Sequence, residues 1–403
     1  MKKDCIYLDN NATTKVDPAV IEAMMPFLTD FYGNPSSMHS FGGQVSKEVN
    51  KARSQVAALL GAEESEIIFT SGGTEGDNAA IRAAILAQPH KRHLITTQVE
   101  HPAVLNLCKQ LETQGYAVTY LSVNRQGQLD LDELDAALTE NTALVSVMYA
   151  NNETGTIFPI EEVGVLAKQK GALFHVDAVQ AVGKIPLNMK NSTIDMLTIS
   201  GHKIHAPKGI GALYVRRGVR FRPLLIGGGQ ERGRRSGTPN VPGIIALGKA
   251  AELELLHIEE ATARERILRD KLETAILTAI PDCEVNGDTS SRLPNTSNIG
   301  FKYIEGEAIL FGLNQYGICA SSGSACSSGS LEPSHVLRAM GIPYTILHGS
   351  IRFSLSRYTT EAEIDAVIAV MPGIIARLRA LSPFTDDNAA WLQEHEKTLL
   401  EAK

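Results

Sequence analysis

Short apolar runs alternate with stretches of helical periodicity through the first half of the chain. The apolar runs end near residues 70, 97, 149, 176 and 199. Between them, apolar residues recur at helical spacing over residues 48–60, closed by Gly61, and over residues 160–170. Because strands that alternate with helices form βαβ units, residues 66–215 predict an α/β fold with a mainly parallel, doubly wound sheet.

The spacing of apolar residues changes in the second half of the chain. A long helical stripe covers residues 242–280, and it is followed by shorter elements, namely a helix at 309–313, strands at 318–320 and 350–358, and a helix at 361–378. A helix of that length can join two domains. We therefore expect a large domain of residues 15–260 and a smaller α/β domain of residues 1–14 and 261–403. The composition of residues 26–41 predicts a loop, and the polar tail beyond Pro383 predicts a loosely held terminus.

Polar residues follow each of the predicted strand ends. The segments are SGGT at 71–74, EH at 100–101, NN at 151–152, Asp177, and SGHK at 200–203. The carboxyl ends of parallel strands lie at one edge of an open sheet, where ligands bind. The sequence therefore predicts one site that collects these side chains.

Asp177 and Lys203 are the most informative pair among these residues. A lysine that forms a Schiff base and a carboxylate that keeps a pyridine nitrogen protonated are what pyridoxal phosphate requires. An arbitrary lysine in a βα loop is usually a surface residue. Here the polar segments after the other strand ends favour a lysine that binds the cofactor. Backbone N–H groups at Gly73 and Thr74 suit its phosphate, and the segment is neither a Walker loop nor a dinucleotide loop.

Three further side chains are candidates for the same site. His101 follows a strand end, where an imidazole can lie against the pyridine ring and move protons, although most single histidines are structural. One of the asparagines at 151–152 can donate to the cofactor phenolate oxygen or to a substrate carboxylate, although asparagines are common in turns. Arg352 can form a two-pronged pair with a carboxylate, although an exposed position is the default for a strand arginine.

The cysteines point to a reducing compartment. Five of them, Cys5, Cys108, Cys283, Cys319 and Cys326, are scattered over 403 residues, which favours free thiols over a disulfide framework. Cys319 has the pattern of a small buried residue. Cys326 lies in a loop of about 321–333 that is rich in serine and glycine, so we expect an exposed, reactive thiol.

Charge and hydropathy exclude other classes of partner. The formal net charge is −7, which gives no reason to expect a nucleic acid or an anionic membrane as a partner. We find no apolar run of the length that spans a bilayer and no signal peptide at the N-terminus, so we expect a cytoplasmic location.

Six motifs in order resemble the cysteine desulfurases, in particular the NifS/IscS-like group of fold-type I pyridoxal phosphate enzymes. They are DNNATT (9–14), TSGGTE (70–75), NNETG (151–155), DAVQ (177–180), SGHK (200–203) and SSGSAC (321–326). The resemblance covers residues 5–380. It is strongest to the nitrogen-fixation NifS type over residues 25–37 and 329–335, whereas the tail beyond Pro383 does not resemble the IscS type.

The resemblance implies a role for each matching residue. Lys203 would hold the cofactor and move protons, Asp177 would pair with the pyridine nitrogen, Gln180 would contact the phenolate oxygen and His101 would stack on the ring. The phosphate would be bound by Thr74, Ser200 and His202, and by Thr238 of a second subunit in a homodimer. L-cysteine would be bound by Asn10, Asn152 and Arg352. Cys326 would take the sulfur as a persulfide, leaving L-alanine, and pass it to a NifU/IscU-like iron–sulfur scaffold protein that serves nitrogenase.

Alternatives from other classes remain open at this point. A selenocysteine lyase, or another pyridoxal phosphate lyase or aminotransferase, would not need Cys326. A non-catalytic sulfur carrier or scaffold would bind no cofactor, and the Asp177–Lys203 pair argues against it. A metal site at His202 and His205 is weakly supported, because their spacing is one residue short of a helical i, i+4 pair and no cysteine or carboxylate stands nearby in the sequence.

Overall fold

The strands were located in a computed structural model that describes residues 5–322 and 333–383. Cys326 and the tail beyond Pro383 lie outside these residues. The strands of the described part are β1 Ile6–Tyr7, β2 Ile67–Thr70, β3 His93–Thr97, β4 Ala117–Leu121, β5 Thr142–Met148, β6 Leu173–Asp177, β7 Met196–Ser200, β8 Gly211–Val215, β9 Cys283–Val285, β10 Thr296–Phe301, β11 Ile318–Cys319 and β12 Ser350–Ser354.

The helices account for most of the remaining chain. In the described residues they are α1 Pro18–Met24, α2 Pro26–Thr29, α3 Ser40–Leu60, α4 Gly73–Ala87, α5 Pro102–Glu112, α6 Leu131–Ala137, α7 Ile160–Gln169, α8 Val241–Ala279, α9 Gly306–Gln315, α10 His335–Ala339, α11 Tyr344–Leu347 and α12 Glu361–Leu381. In this part of the chain, none of them is long and apolar enough to cross a membrane.

A seven-stranded sheet forms the centre of the fold, in the order β2-β8-β7-β6-β5-β3-β4. Strand β8 is antiparallel to both of its neighbours, and the other pairs are parallel. Only residues 201–210 join β7 to β8, which is too short for the crossover that a parallel return requires. The predicted α/β fold with a mainly parallel sheet is confirmed.

Burial explains why these segments are strands. Every residue of β3, β5, β7 and β8 is buried, as expected for strands covered by helices on both faces. Helix α8 supplies part of the cover by packing against α3. Its start is fixed by Asn240, whose side chain accepts from the backbone N–H of Gly243.

A second core lies around an antiparallel sheet of order β12-β10-β9. It buries apolar residues from both ends of the chain, among them Leu8, Leu272, Phe301 and Phe353. Helix α8 contributes Leu272 to this core and Leu247 to the core of the large sheet. Because α8 runs unbroken across residue 260, the domain boundary expected there stays a prediction.

Two local predictions differ from the structure. The segment 26–41 is predicted to be a loop; residues 30–39 are irregular, but the segment begins with α2 and ends with the first two residues of α3. His39 starts α3 ahead of its glycines, since its Nδ1 accepts from the backbone N–H of Gly42 over 3.0 Å. The strand expected over residues 350–358 ends at Ser354, and the next residues turn, with the N–H of Thr359 bonded to the carbonyl of Ser356.

Candidate active site

A cavity of about 170 Å³ opens where the carboxyl ends of the parallel strands meet. Most of the predicted site residues line it: Gly73, Thr74, His101, Asn152, Asp177, Gln180, Ser200, His202, Lys203 and Arg352. It is also lined by Asn11, Ala12, Asp77, Met148, Ala150 and Val179. The sheet therefore brings together residues that are far apart in the sequence, as the strand-end argument predicted.

Lys203 is presented by a tight turn directly after β7. The 3₁₀ turn Gly201–Lys203 is held by the N–H of Gly201, which donates to the carbonyl of Ile210 over 2.9 Å. A Cβ at position 201 would lie 3.0 Å from a side-chain carbon of Ile210, so only glycine fits without a shift. The Nζ of Lys203 donates to the backbone carbonyls of Asn11 at 2.5 Å and Ala12 at 2.9 Å. These two carbonyls orient the amine within the cavity.

Asp177 is the last residue of β6 and is 7 % exposed. Its Oδ1 accepts from the backbone N–H of Val179 over 2.9 Å, which fixes the orientation of the carboxyl group. Burial raises the pKa of Asp177 to about 6, although the positive charge of Lys203 acts in the opposite direction. The carboxylate is thus buried and ready to pair with a cation inside the cavity.

The glycine turn before α4 forms the opposite end of the site. Gly72 has a φ of +150°, which side chains rarely adopt, and a Cβ at Gly73 would lie 3.0 Å from Val179 Cγ2. The turn exposes the first N–H groups of a 15-residue helix next to Thr74, which suits a phosphate. Arg235 lies on this side as well, with its Nε 2.8 Å from Glu75 Oε1 in the first turn of α4.

Two histidines of the cavity are neutral at physiological pH. His101 caps α5, because its Nδ1 accepts from the N–H of Ala103 over 3.2 Å. Burial, aided by the charge of Lys203, lowers the pKa of His101 to about 4, and the same two causes lower that of His202 to about 4. Since Nδ1 of His101 accepts a hydrogen bond, its ring proton is on Nε2.

Arg352 extends into the cavity from β12. It is 3 % exposed, and its Nη1 donates to the backbone carbonyl of Asn152 over 3.0 Å. Its Nη2 donates to Asp9 Oδ1 over 2.8 Å. A buried guanidinium at this place can bind a carboxylate, as the sequence predicted.

Three predicted site residues are not brought to this cavity by the described chain. Asn10 points away from it: its Nδ2 donates to the carbonyls of Tyr7 and Ser354, and its neighbour Asn11 lines the cavity instead. Thr238 is exposed and is not part of the lining, which agrees with a residue predicted to serve a second subunit. Cys326 lies outside the described residues.

The histidines considered for a metal have other partners. His202 Nδ1 lies 3.2 Å from the Thr13 hydroxyl, and His205 Nδ1 lies 2.8 Å from the carbonyl of Lys15. Within residues 5–322 and 333–383, no cluster of three or more histidine, cysteine or carboxylate side chains is arranged to hold a metal ion. The pair therefore belongs to the hydrogen bonding around Lys203.

The sequence assigned no chemical role to two buried acids of the site. Asp77 lines the cavity one helical turn after Gly73, and its Oδ1 lies 3.6 Å from His175 Nε2. Burial and the neighbouring Asp177 raise the pKa of Asp77 well above its ordinary value. Glu100 is fully buried behind the cavity, and burial raises its pKa to about 8. Helical spacing from Gly73 was the available signal for Asp77. Glu100 belongs to the strand-end segment 100–101, but nothing in the sequence showed that its side chain is fully buried.

Comparison with known proteins agrees with this geometry. The aminotransferase class-V family model matches residues 6–367. A cysteine desulfurase of Trichormus azollae is 80 % identical over 98 % of both chains, and the cysteine desulfurase NifS of Azotobacter vinelandii is 60 % identical over 95 % of this chain and 96 % of its own. A solved NifS-like protein superimposes with a TM-score of 0.87 at 41 % identity, covering 93 % of this chain and 100 % of its own. The chain therefore belongs to the aminotransferase class-V family and, within it, to the cysteine desulfurases.

Proposed function

We propose that this protein is a pyridoxal phosphate-dependent cysteine desulfurase, which converts L-cysteine to L-alanine and passes the sulfur to Cys326. The observation that carries the proposal is the presence of Lys203 and Asp177 in one cavity, at the ends of neighbouring strands. Relatives named as cysteine desulfurases, identical at up to 80 % over nearly the whole chain, support the same activity.

The residues of the cavity fit the cofactor. Gly72 and Gly73 carry no side chains that would cover the backbone at the start of α4, so a phosphate can approach its first N–H groups. Gln180 Oε1 is buried and accepts no hydrogen bond from the described residues, and its Nε2 keeps one N–H beyond the bond to the carbonyl of Asn11. When bound, pyridoxal phosphate supplies the electron sink that weakens the bonds at the substrate α-carbon and then the Cβ–S bond.

Each polar residue then has a distinct task toward the cofactor. Asp177 keeps the pyridine nitrogen protonated, because a buried carboxylate stabilises a neighbouring cation. Thr74, Ser200 and His202 bind the phosphate together with the N-terminal N–H groups of α4. His101 would lie against the ring in its neutral form, since burial and the charge of Lys203 lower its pKa to about 4.

Lys203 holds the cofactor and moves protons at the substrate α-carbon. The carbonyls of Asn11 and Ala12 hold its amine inside the cavity, where the substrate would bind. His101 carries its ring proton on Nε2 and can donate it to the departing sulfur or take it back.

Arg352 and Asn152 select an amino acid through its carboxylate. Asp9 and the carbonyl of Asn152 already hold the guanidinium in place, so its side chain would lose little conformational entropy when the substrate binds. Its Nε is buried and makes no hydrogen bond to the described residues, which leaves one donor for the substrate.

Cys326 is the proposed sulfur acceptor. It lies outside the described residues, in a serine- and glycine-rich run that offers nothing to bury a thiol. Its thiolate would attack the substrate sulfur and form the S–S bond of a persulfide. The substrate Cβ–S bond would break at the same time, with its electron pair kept on the carbon side, and a proton added to Cβ would complete L-alanine.

Two partners complete the proposal. A second copy of the chain would supply Thr238 to the phosphate, in agreement with its exposed position away from the cavity of its own subunit. An iron–sulfur scaffold protein of the NifU/IscU type would receive the persulfide sulfur, and similarity to the Azotobacter vinelandii NifS favours a role in nitrogenase assembly. A cytoplasmic location belongs to the same proposal.

The experiment is an absorption spectrum of the purified protein before and after L-cysteine, with sulfide and alanine measured in the presence of a reductant. Wild type, Cys326→Ala and the control Cys283→Ala are compared. We expect a cofactor band in all three, which changes with cysteine, and sulfide production by wild type and Cys283→Ala only. Full activity of Cys326→Ala would favour a lyase, and a cofactor-saturated protein without a band would refute the proposal.

A further inference from the structure

Two thiols meet on the outer side of the small strand pair β1–β11. Cys5 directly precedes β1, and Cys319 is the last residue of β11. Their Sγ atoms are 3.1 Å apart although the residues are 314 positions apart in the sequence. Both are free cysteines, Cys5 exposed and Cys319 partly exposed.

The register of the strands holds the thiols together. Ile6 pairs with Ile318, and Tyr7 pairs with Cys319. The N–H of Ile6 donates to the carbonyl of Gly317 over 3.0 Å, and the N–H of Leu8 donates to that of Cys319 over 2.8 Å. Ile6 and Ile318 contact the smaller core, so the alternation of side chains along a strand places the two cysteines on the opposite face.

We propose that Cys5 and Cys319 form a redox-active dithiol, which closes into an intramolecular disulfide by exchange with a low-molecular-weight disulfide. The inference goes beyond the proposed function, because it uses neither the cofactor nor Cys326. The Sγ–Sγ distance of 3.1 Å supports it, since the two sulfur atoms need to approach by only about 1 Å to reach the length of a covalent S–S bond.

The difference in exposure sets the order of the two steps. The Cys5 thiolate attacks the external disulfide, forming a mixed disulfide and releasing one thiol of the reagent. Cys319 then loses its proton and attacks Cys5 Sγ, which forms the Cys5–Cys319 bond and releases the second thiol. Burial and the nearby Cys5 raise the pKa of Cys319 to about 11, so Cys319 is the slower nucleophile and acts as the resolving cysteine.

The other described cysteines have no such arrangement. Cys108 is 1 % exposed, and burial raises its pKa to about 12. The thiol of Cys283 donates to the carbonyl of Ile280 over 3.0 Å. Within the described residues, Cys5 and Cys319 are thus the two cysteines that can form a disulfide with each other when a soluble disulfide reacts with the protein.

The disulfide would act on the wall of the active site. Four residues after Cys5, Asp9 binds the guanidinium of Arg352. Two residues after Cys319, Ser321 pairs with the backbone of Arg352, with N–O distances of 2.6 and 3.2 Å. Closing the dithiol therefore ties together the two segments that flank Arg352, and we expect it to stabilise the fold in the oxidised protein.

The test uses the full-length Cys326→Ala protein, in which the proposed acceptor thiol cannot compete. The reduced protein is exposed to oxidised glutathione, quenched, and examined by thiol titration and peptide mapping. We expect the loss of two thiols and a peptide pair linked through Cys5 and Cys319, both reversed by dithiothreitol. A control protein that also carries Cys283→Ser should behave identically. The Cys5→Ser variant should retain all its remaining thiols. The Cys319→Ser variant should stop at a glutathione adduct on Cys5.

A second readout is the melting temperature. A link between residues this far apart restricts the unfolded chain, so the oxidised protein should melt at a higher temperature than the reduced one. The proposal is overturned if Cys5 and Cys319 both stay free, if Cys5 keeps its glutathione adduct in the presence of Cys319, or if the linked peptides come from two different chains. These readouts do not depend on desulfurase activity, so they can fail while the proposed function stands.

Discussion

Asp9 binds Arg352 across almost the full length of the sequence. The Nη2 of Arg352 lies 2.8 Å from Asp9 Oδ1, and the two residues are 343 positions apart. The arginine is buried, and its side chain is 3 % exposed against 20 % for the aspartate. The segment that follows β1 thus contributes directly to the place where we propose that the substrate carboxylate binds.

Asp9→Asn tests this relationship. An asparagine keeps an oxygen that can accept from Nη2, but it removes the negative charge that competes with the substrate. We expect the KM for L-cysteine to fall by about three- to tenfold, which corresponds to about 1 kcal/mol, while kcat changes little. Steady-state kinetics of the variant measure both parameters. A raised KM would show that the charge of Asp9 is needed to position Arg352.

Asp177→Asn tests the electrostatic role of the buried carboxylate. Asparagine cannot keep the pyridine nitrogen protonated, so we expect kcat to fall by about 10²- to 10³-fold, the range for one preorganised electrostatic group. Asp195→Asn is the matched control, because Asp195 is equally buried at 7 % exposure but lies at the opposite end of β7. Equal losses in both variants would indicate a general effect on folding.

Much of the site was predictable because parallel strands end at one edge of the sheet. Lys203, Asp177 and His101 each follow a strand that its apolar run identifies, and the structure gathers them in one cavity. Asn10 and Asn11 could not be told apart in this way, since neighbouring residues in a turn point in directions that only the folded chain fixes. The bond between Asp9 and Arg352 was equally hidden, because it joins the turn after β1 to strand β12, and no local sequence pattern connects the two segments.

Buried acids were hidden for a different reason. Asp77 and Glu100 belong to residue types that usually lie on the protein surface. Only the folded structure shows that they are buried, at 1 % and 0 % exposure. The sequence also missed the start of α3, because a capping histidine ahead of two glycines resembles a loop.

Glu100 predicts a pH dependence of stability. Burial raises its pKa from its ordinary value of 4.5 to about 8, so the folded protein holds a proton that the unfolded chain releases. This contribution is fully present below pH 4.5 and is lost as the pH rises toward 8, at up to about 1.4 kcal/mol per pH unit. We expect the free energy of unfolding of wild type to decline relative to Glu100→Gln between pH 5 and 8, as measured by urea unfolding. A constant difference across this range would contradict the protonated state.

Gly76 predicts a packing effect beneath the site. A Cβ at this position of α4 would lie 2.5 Å from Thr198 Cγ2 on β7, so Gly76→Ala should lower the free energy of unfolding by about 1–3 kcal/mol. Gly43→Ala is the matched control, because a Cβ there meets nothing within 4 Å in α3. That variant should be more stable than wild type by about 0.5–1 kcal/mol. Equal effects of the two substitutions would show that the α4–β7 contact can relax.

The most direct test of the central claim is to identify the lysine that holds the cofactor. The protein is saturated with pyridoxal phosphate, reduced with sodium borohydride and digested, and the modified peptide is identified by mass spectrometry. We predict one modified residue, Lys203, and no stable modification at that site in Lys203→Ala. A modification at another lysine, or none in saturated protein, would contradict the assignment of Lys203 and with it the proposed mechanism.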